Sequence, residues 1–397
     1  MSACDLALFA DDAESGRDEM VALRRAIHRE PELGLDCPRT RDKLELALAG
    51  LPLNIRHSDK TSGFVATLEG ERPGRTVLLR GDMDALPITE ATGLDFSSNQ
   101  AGRMHACGHD SHAAMLAGAA RILSARRDRI AGRILFMFQP GEEGHGGARI
   151  MLDEGLLGDP LPDAAFALHV WPTLSHGIIA CRAGTMLAST DMLKARIVGR
   201  GGHAAMPHDA LDPVPVAAEI ILALQTEVAR RTPVTDPIVL SISKITAGTT
   251  HNVLPDTVDL LGTLRTLSPE ARARGRASFE RICTRVAAAH GCTAEVAIEP
   301  GYPATINDPR AVALIRAIAG DAFWEPPAAN MGGEDFGYVL ERVPGAMAFL
   351  GVAPKGAAAD GRAPLHNPKM MIDEAVLPTG VALHCAFATR FLEYGWG

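Results

Sequence analysis

The feature that most constrains this chain is a repeated one: an apolar run with strand character stops abruptly at a polar cluster, and helix-patterned segments separate the repeats. Residues 76–79 (TVLL) run into RGDMDALP at 80–87, and residues 133–138 (RILFMF) run into QPGEEGHGG at 139–147. The run AAFALHVWP at 164–172 carries His169 near its C-terminal end, and MHACGHDSH at 104–112 stands just ahead of an apolar, helix-patterned segment at 113–123. Buried strands alternating with helices predict an α/β domain around one sheet, and polar residues at successive strand ends predict a site along one edge of it.

The pattern changes near residue 185. From 186 to 299 the order reads strand (193–198), helix (213–231), strand (238–245), strand (257–267), helix (268–290) and strand (293–298), with Asp212 as an N-cap and Pro213 and Pro269 at first helical positions. This βαββαβ order is ferredoxin-like. It predicts an inserted domain at 186–299 between two parts of the first domain, 1–185 and 300–397. In the last part a helix at 308–319, the loop NMGGEDFG at 330–337, a strand at 346–350, LHNP at 365–368 and a long terminal helix at 377–394 return to α/β character, and GAAADGRAP at 356–364 reads as a loop.

Composition excludes several classes. A net charge of −9 with both signs interspersed lacks the footprint of a nucleic-acid binder. The N-terminus has no basic region followed by an apolar one, and no later run reads as a membrane span, so a cytoplasmic protein is expected. The seven cysteines, at 4, 37, 107, 181, 283, 292 and 385, are scattered without a framework and fit reduced thiols. Of these, Cys107 alone stands in polar company.

Collecting the strand-end polar residues gives Asp82, Asp84, Cys107, His109, Glu142, Glu143, His169 and His366. That is more ligand capacity than one ion needs, and two divalent ions sharing a bridging side chain would use it well. Thiolate, imidazole and carboxylate together suit zinc, manganese, cobalt or nickel. Asp82 and Asp84 alternate at one strand end, where they read equally as turn-formers or as partners of a cation.

The set RGDMDALP, HACGHD, QPGEEG, the strand-end His169, GRGGHAAMPH at 199–208, HNVLPD at 251–256, MGGEDF at 331–336 and LHNP resembles the aminoacylase and carboxypeptidase G superfamily of dinuclear metallohydrolases. Within it, the resemblance is to the amidohydrolase branch of hippurate hydrolases and auxin-conjugate hydrolases. It implies a zinc-peptidase-like central mixed sheet, with the inserted domain acting in dimerisation or as a lid. It implies Cys107 as bridging ligand, His109 and His169 completing one metal and Glu143 and His366 the other. Glu142 becomes the general base and Asp84 the residue behind the ligands, while Asp82, standing where other branches have a ligand histidine, stays outside the ligand set. His203 becomes an oxyanion donor reaching a partner subunit's site, and Asn252 and Arg265 meet the substrate carboxylate.

The expected activity is metal-dependent hydrolysis of N-acyl amino acids, hippurate-like, using two ions per chain, Mn2+ or Zn2+ with Co2+ or Ni2+ as alternatives, in a homodimer or homotetramer. The nearest rival is a dipeptidase, a carboxypeptidase or a deacylase of N-acetyl- or N-succinyl-diaminopimelate on the same site. From other classes, Cys107 as a catalytic or redox thiol lacks a CxxC partner, and a non-catalytic metal-loaded or peptide-binding module would leave a full set of base and ligand residues unused.

Overall fold

The computed structural model describes residues 6–354 and 362–397; Cys4 and most of the loop expected at 356–364 lie outside them. The chain forms two compact units. One comprises Met1–Met186, Ile306–Ala328 and Asp335–Gly397, and the other Leu187–Thr305 and Ala329–Glu334. The second unit therefore extends past the expected boundary at 299 and takes in the NMGGE part of the loop at 330–337.

The first unit is built on an eight-stranded mixed sheet in the order Leu53–His57, Phe64–Glu69, Ala131–Gln139, Arg72–Asp82, Ala164–Trp171, Gly345–Gly351, Ile179–Ala180 and Phe323–Trp324. The middle four strands are parallel, with Val77 opposite Ile134 on one side and Ala164 on the other. Ala164–Trp171 and Gly345–Gly351 are buried almost throughout, as parallel strands covered on both faces require. The strand Leu53–His57 and the helix Ala7–Ser15 were not expected, because neither segment carries a clean apolar period.

Topology places the site. The helix His109–Ala125 connects Arg72–Asp82 to its neighbour Ala131–Gln139, and the next connection crosses back so that Ala164–Trp171 lies on the opposite side of Arg72–Asp82. Such a reversal opens a crevice at the carboxyl end of the central strand. The terminal helix Leu377–Tyr394 packs against His109–Ala125 and the sheet, stacking Phe387 on Phe166 at 4.7 Å. Contrary to the sequence reading, its stretch Glu374–Tyr394 is long and apolar enough to cross a membrane; 78% of the apolar window lies buried inside the protein, as in a core helix.

The second unit is an antiparallel sheet in the order Ile238–Ala247, Thr257–Thr266, Ser189–Val198, Thr293–Pro300. The helices Pro213–Arg231 and Pro269–Ala289 bury their apolar stripes against one face, where Leu193, Ala195 and Ile197 alternate inward. Asp212 and Ser268 cap these helices by accepting from the Val214 and Ala271 N–H groups, both at 3.0 Å.

Candidate metal centre

Cys107, His109 and His169 converge from three places in the first unit. Cys107 precedes the helix His109–Ala125, His109 is its first residue, and His169 lies near the end of the central strand Ala164–Trp171. Gly108 makes the turn between the first two with φ of 91°, and a Cβ there would come within 2.3 Å of Val170 Cγ2. The tight entry needs glycine for both reasons. Asp110 sits in the first turn of that helix and binds Arg24 and His28, each at 2.8 Å.

Donor atoms of Cys107, His109 and His169 lie within 4.8 Å of one another, and so do those of Cys107, Glu143 and His366. Cys107 belongs to both groups. Its sulfur is 3.4 Å from His169 Nε2, and His366 Nε2 is 3.1 Å from Glu143 Oε1. His366 comes from the far end of the sequence and holds a left-handed backbone with φ of 62°, its N–H donating to the Ala106 carbonyl at 2.8 Å. A non-glycine residue in that conformation is a strained placement that marks functional sites.

The histidines are oriented as ligands are. His109 Nδ1 donates to the backbone carbonyl of Asp84 at 2.8 Å, and His169 Nδ1 to that of Val170 at 2.6 Å. Each turns its Nε2 to the cluster, the arrangement that fixes a ligand histidine's tautomer. His109 Nε2 is buried and has no hydrogen-bond partner among the described residues. An orphaned imidazole nitrogen beside a buried thiol and two glutamates is a poor end state for a protein interior but a good ligand set for a soft or borderline divalent cation.

Electrostatics agree. Burial pushes the Cys107 thiol up, and burial holds His169 well below the ordinary imidazole value, in the neutral form a cation requires. Burial works against protonation of His109, but Asp82 and Cys107 outweigh it and raise its pKa well above normal. Hydrogen bonds to Cys107 and Glu143 push His366 up to about 10. In the metal-free chain these protons occupy places that cations would take.

Around this core, Asp84 accepts the backbone N–H groups of Glu142 at 3.0 Å and Glu143 at 3.1 Å, so it shapes the turn that presents both glutamates. Glu142 is buried, with Oε2 3.9 Å from His109 Nε2. Asp82 is committed elsewhere: one oxygen accepts from His112 Nδ1 at 2.5 Å and the other from Arg80 Nη1 at 2.6 Å. Burial opposes its charge, yet Arg80 and the two imidazoles hold its carboxyl well below the usual range. Arg80 also donates to Gln139 at 2.7 Å and Asp335 at 3.1 Å. Sequence reasoning left Arg80, Gln139 and Asp335 without site roles. The signal was there in that RGD and QPG both close strands beside the ligand motifs, but only strand pairing shows that they meet.

His203, Asn252 and Arg265 belong to the second unit. His203 is exposed on a short ladder opposite Val253, and its Nδ1 accepts from the Ala205 N–H at 3.0 Å, which leaves the ring hydrogen on Nε2. The Asn252 carbonyl accepts from the Ala204 N–H at 3.1 Å. Arg265 is half-buried and has no carboxylate partner among the described residues, because Asp191 is taken by Arg272 and Arg276 at 2.7 and 2.6 Å. Burial accordingly lowers the pKa of Arg265.

Comparison with known proteins supplies the frame for this geometry. The model of a family described as Peptidase family M20/M25/M40 matches residues 78–390. IAA-amino acid hydrolase ILR1-like 2 of Arabidopsis thaliana is 37% identical over 95% of this chain and 86% of its own length. N-acetyl-L-cysteine deacetylase of Bacillus subtilis is 37% identical over 90% and 85%. A solved Bacillus subtilis protein described as a dinuclear metal-binding peptidase of the same family superposes with a TM-score of 0.83 at 32% identity, covering 96% of this chain and 99% of that one.

Proposed function

The chain belongs to peptidase family M20/M25/M40 and is a hydrolase of amide bonds, and on that premise we propose that it cleaves N-acyl amino acids to a carboxylic acid and a free amino acid. The observation that carries this reading is Cys107 shared between two three-donor groups, with Glu142 beside them. The related plant hydrolase and bacterial deacetylase are both named for such conjugates.

In this reading His109 and His169 would hold one divalent ion and Glu143 and His366 a second, with Cys107 a member of both donor sets. Manganese or zinc is the expected metal, with cobalt or nickel as substitutes. When bound, the ions supply Lewis acidity toward the carbonyl and bring the pKa of water to about 7. The protein supplies the rest. Glu142 takes a proton from the attacking water on a carboxylate oxygen, and the carbonyl carbon becomes tetrahedral. The same carboxyl then returns the proton to the amide nitrogen as the C–N bond breaks. Asp84 keeps the Glu142 turn in place during both transfers.

His203, with its ring hydrogen on Nε2, donates to the developing oxyanion in the site of a partner copy. Arg265, a guanidinium with no carboxylate partner among the described residues, and Asn252 receive the substrate carboxylate. A homodimer or larger homo-oligomer, the inserted domain as its lid, and a cytoplasmic location complete the proposal.

The test is hydrolysis of N-benzoylglycine, N-acetyl amino acids, N-acetyl- and N-succinyl-diaminopimelate and dipeptides by metal-stripped protein, with and without Mn2+, Zn2+, Co2+ or Ni2+. Metal-restored release of amino acids from simple N-acyl substrates is the expected result. Preferential cleavage of dipeptides or of the diaminopimelate derivatives would replace the substrate assignment while keeping the reaction class.

A further inference from the structure

His112 lies one turn along the helix from His109, and both of its ring nitrogens are engaged. Nε2 accepts the backbone N–H of Val170 at 2.8 Å, and Nδ1 donates to Asp82 at 2.5 Å. A nitrogen that receives an N–H bond cannot itself carry a hydrogen, so the geometry assigns the neutral tautomer with the hydrogen on Nδ1. His112 thus has no lone pair left for a metal, although its donor atoms lie within 4.8 Å of those of Asp82 and His109.

What it holds is specific. Val170 is the residue whose carbonyl accepts from His169 Nδ1 at 2.6 Å. One end of this short backbone segment is therefore fixed by His112 and the other orients the His169 ring. The two rings also touch, with centroids 4.4 Å apart at 60°. Behind His112 the chain of bonds continues through Asp82 to Arg80, and from Arg80 to Gln139 and Asp335, whose carboxylate accepts the Gln139 amide at 2.9 Å and the Ala148 N–H at 2.8 Å. Arg80, Asp82, Gln139, Asp335 and His112 are all buried. This network ties the ends of Arg72–Asp82 and Ala131–Gln139 to the end of the next parallel strand.

We propose that His112, backed by Asp82 and Arg80, is a positioning residue for His169: by fixing the backbone at Val170 it aims His169 Nε2 at the Cys107 sulfur and sets the affinity of one of the two cation positions. The inference rests on the dinuclear reading above. It separates the two positions, because among the described residues the hydrogen bonds of His112 go to Val170 and Asp82, and its closest ligand-side ring contact is with the His169 end of the cluster. The effect of His112 therefore falls on the position that His169 serves, while Glu143 and His366 of the other group are not members of the group it touches.

The experiment is a Co2+ titration of metal-stripped full-length protein, read by stoichiometry and by the visible and thiolate charge-transfer bands. In wild type, two ions bind per chain. In His112→Ala, one ion binds as in wild type, while affinity at the second position falls about 10- to 100-fold, the cost typical of losing a group behind a ligand. His112→Gln, whose amide can both accept from Val170 N and donate to Asp82, restores both positions to within about threefold, a small energetic change. Two ions bound with wild-type affinity and spectrum by His112→Ala overturn the proposal. Fewer than two ions bound by wild type overturns the dinuclear reading itself, a distinct outcome. A measurement without substitution stands beside these in case His112→Ala does not fold: nitrogen-15 histidine spectra of wild type show His112 protonated on Nδ1 only, and a ring protonated on Nε2 refutes the assignment.

Discussion

Asp84 holds Glu142 by its backbone, accepting the main-chain N–H at 3.0 Å, and its second oxygen does the same for Glu143 at 3.1 Å. One carboxylate thereby sets two adjacent residues whose side chains diverge. Asp84→Asn keeps the size but offers one acceptor where two are used, and turns an amide NH2 toward a backbone N–H. We expect kcat to fall about 10- to 100-fold with KM little changed, measured by steady-state kinetics on the best N-acyl substrate. An unaltered kcat would show that the turn holds itself.

Glu142→Gln removes the proton acceptor without removing a member of either three-donor group built on Cys107. The variant is expected to bind two ions yet lose about 10²- to 10⁴-fold in kcat, the usual worth of a general base. Metal content by elemental analysis and turnover on one preparation decide the matter. Loss of metal together with activity would place Glu142 among the ligands.

Arg265→Ala is predicted to raise KM at least tenfold for N-acyl amino acids and to do much less to the corresponding substrate amides, which lack the carboxylate. A bidentate guanidinium contact is worth about 1.5–3 kcal/mol. Equal effects on both substrate series would assign Arg265 a structural role.

His28 predicts a pH dependence of stability. Burial pulls its pKa down, but the charge of Asp110 and hydrogen bonds to Asp110 at 2.8 Å and Glu90 at 3.2 Å outweigh that and raise it to about 9, even with Arg24 nearby. The folded state holds this proton more tightly than the unfolded chain does. The contribution is therefore full below pH 6.5 and is lost as pH rises through about 9. At most it amounts to about 3 kcal/mol. Urea unfolding at a series of pH values should show wild type converging on His28→Gln above pH 9; a constant difference between them would contradict the shift.

Much of this is legible in the sequence alone. Pro213 and Pro269 announce their helices, and both begin where expected because proline at a first helical position costs no hydrogen bond. Cys107, His109, Glu142, Glu143, His169 and His366 could be collected because each follows an apolar run or sits in a short polar motif. The roles of Asp82 and His112 were not legible. An aspartate at a strand end reads the same whether it binds a cation or a neighbouring arginine, and only the pairing of Arg80 opposite Met137 and Ala167 shows what surrounds it. The helix start at His109 was hidden for a related reason: Gly108 begins it by backbone conformation, without the side-chain cap that sequence reading looks for.

The sheet order has a consequence for how the protein is made. Cys107, His109 and His169 have all left the ribosome roughly 200 residues before His366, an interval on the order of 10 to 40 s of synthesis. During that interval the whole second unit is translated, and Ala164–Trp171 lacks the neighbour Gly345–Gly351 that it pairs with in the finished sheet. The nascent chain thus carries three candidate ligands and an open hydrogen-bonding edge at the same moment. Until Gly345–Gly351 is made, that edge is open to pairing with another chain, so the long insertion lengthens the interval in which the half-built sheet is exposed to association.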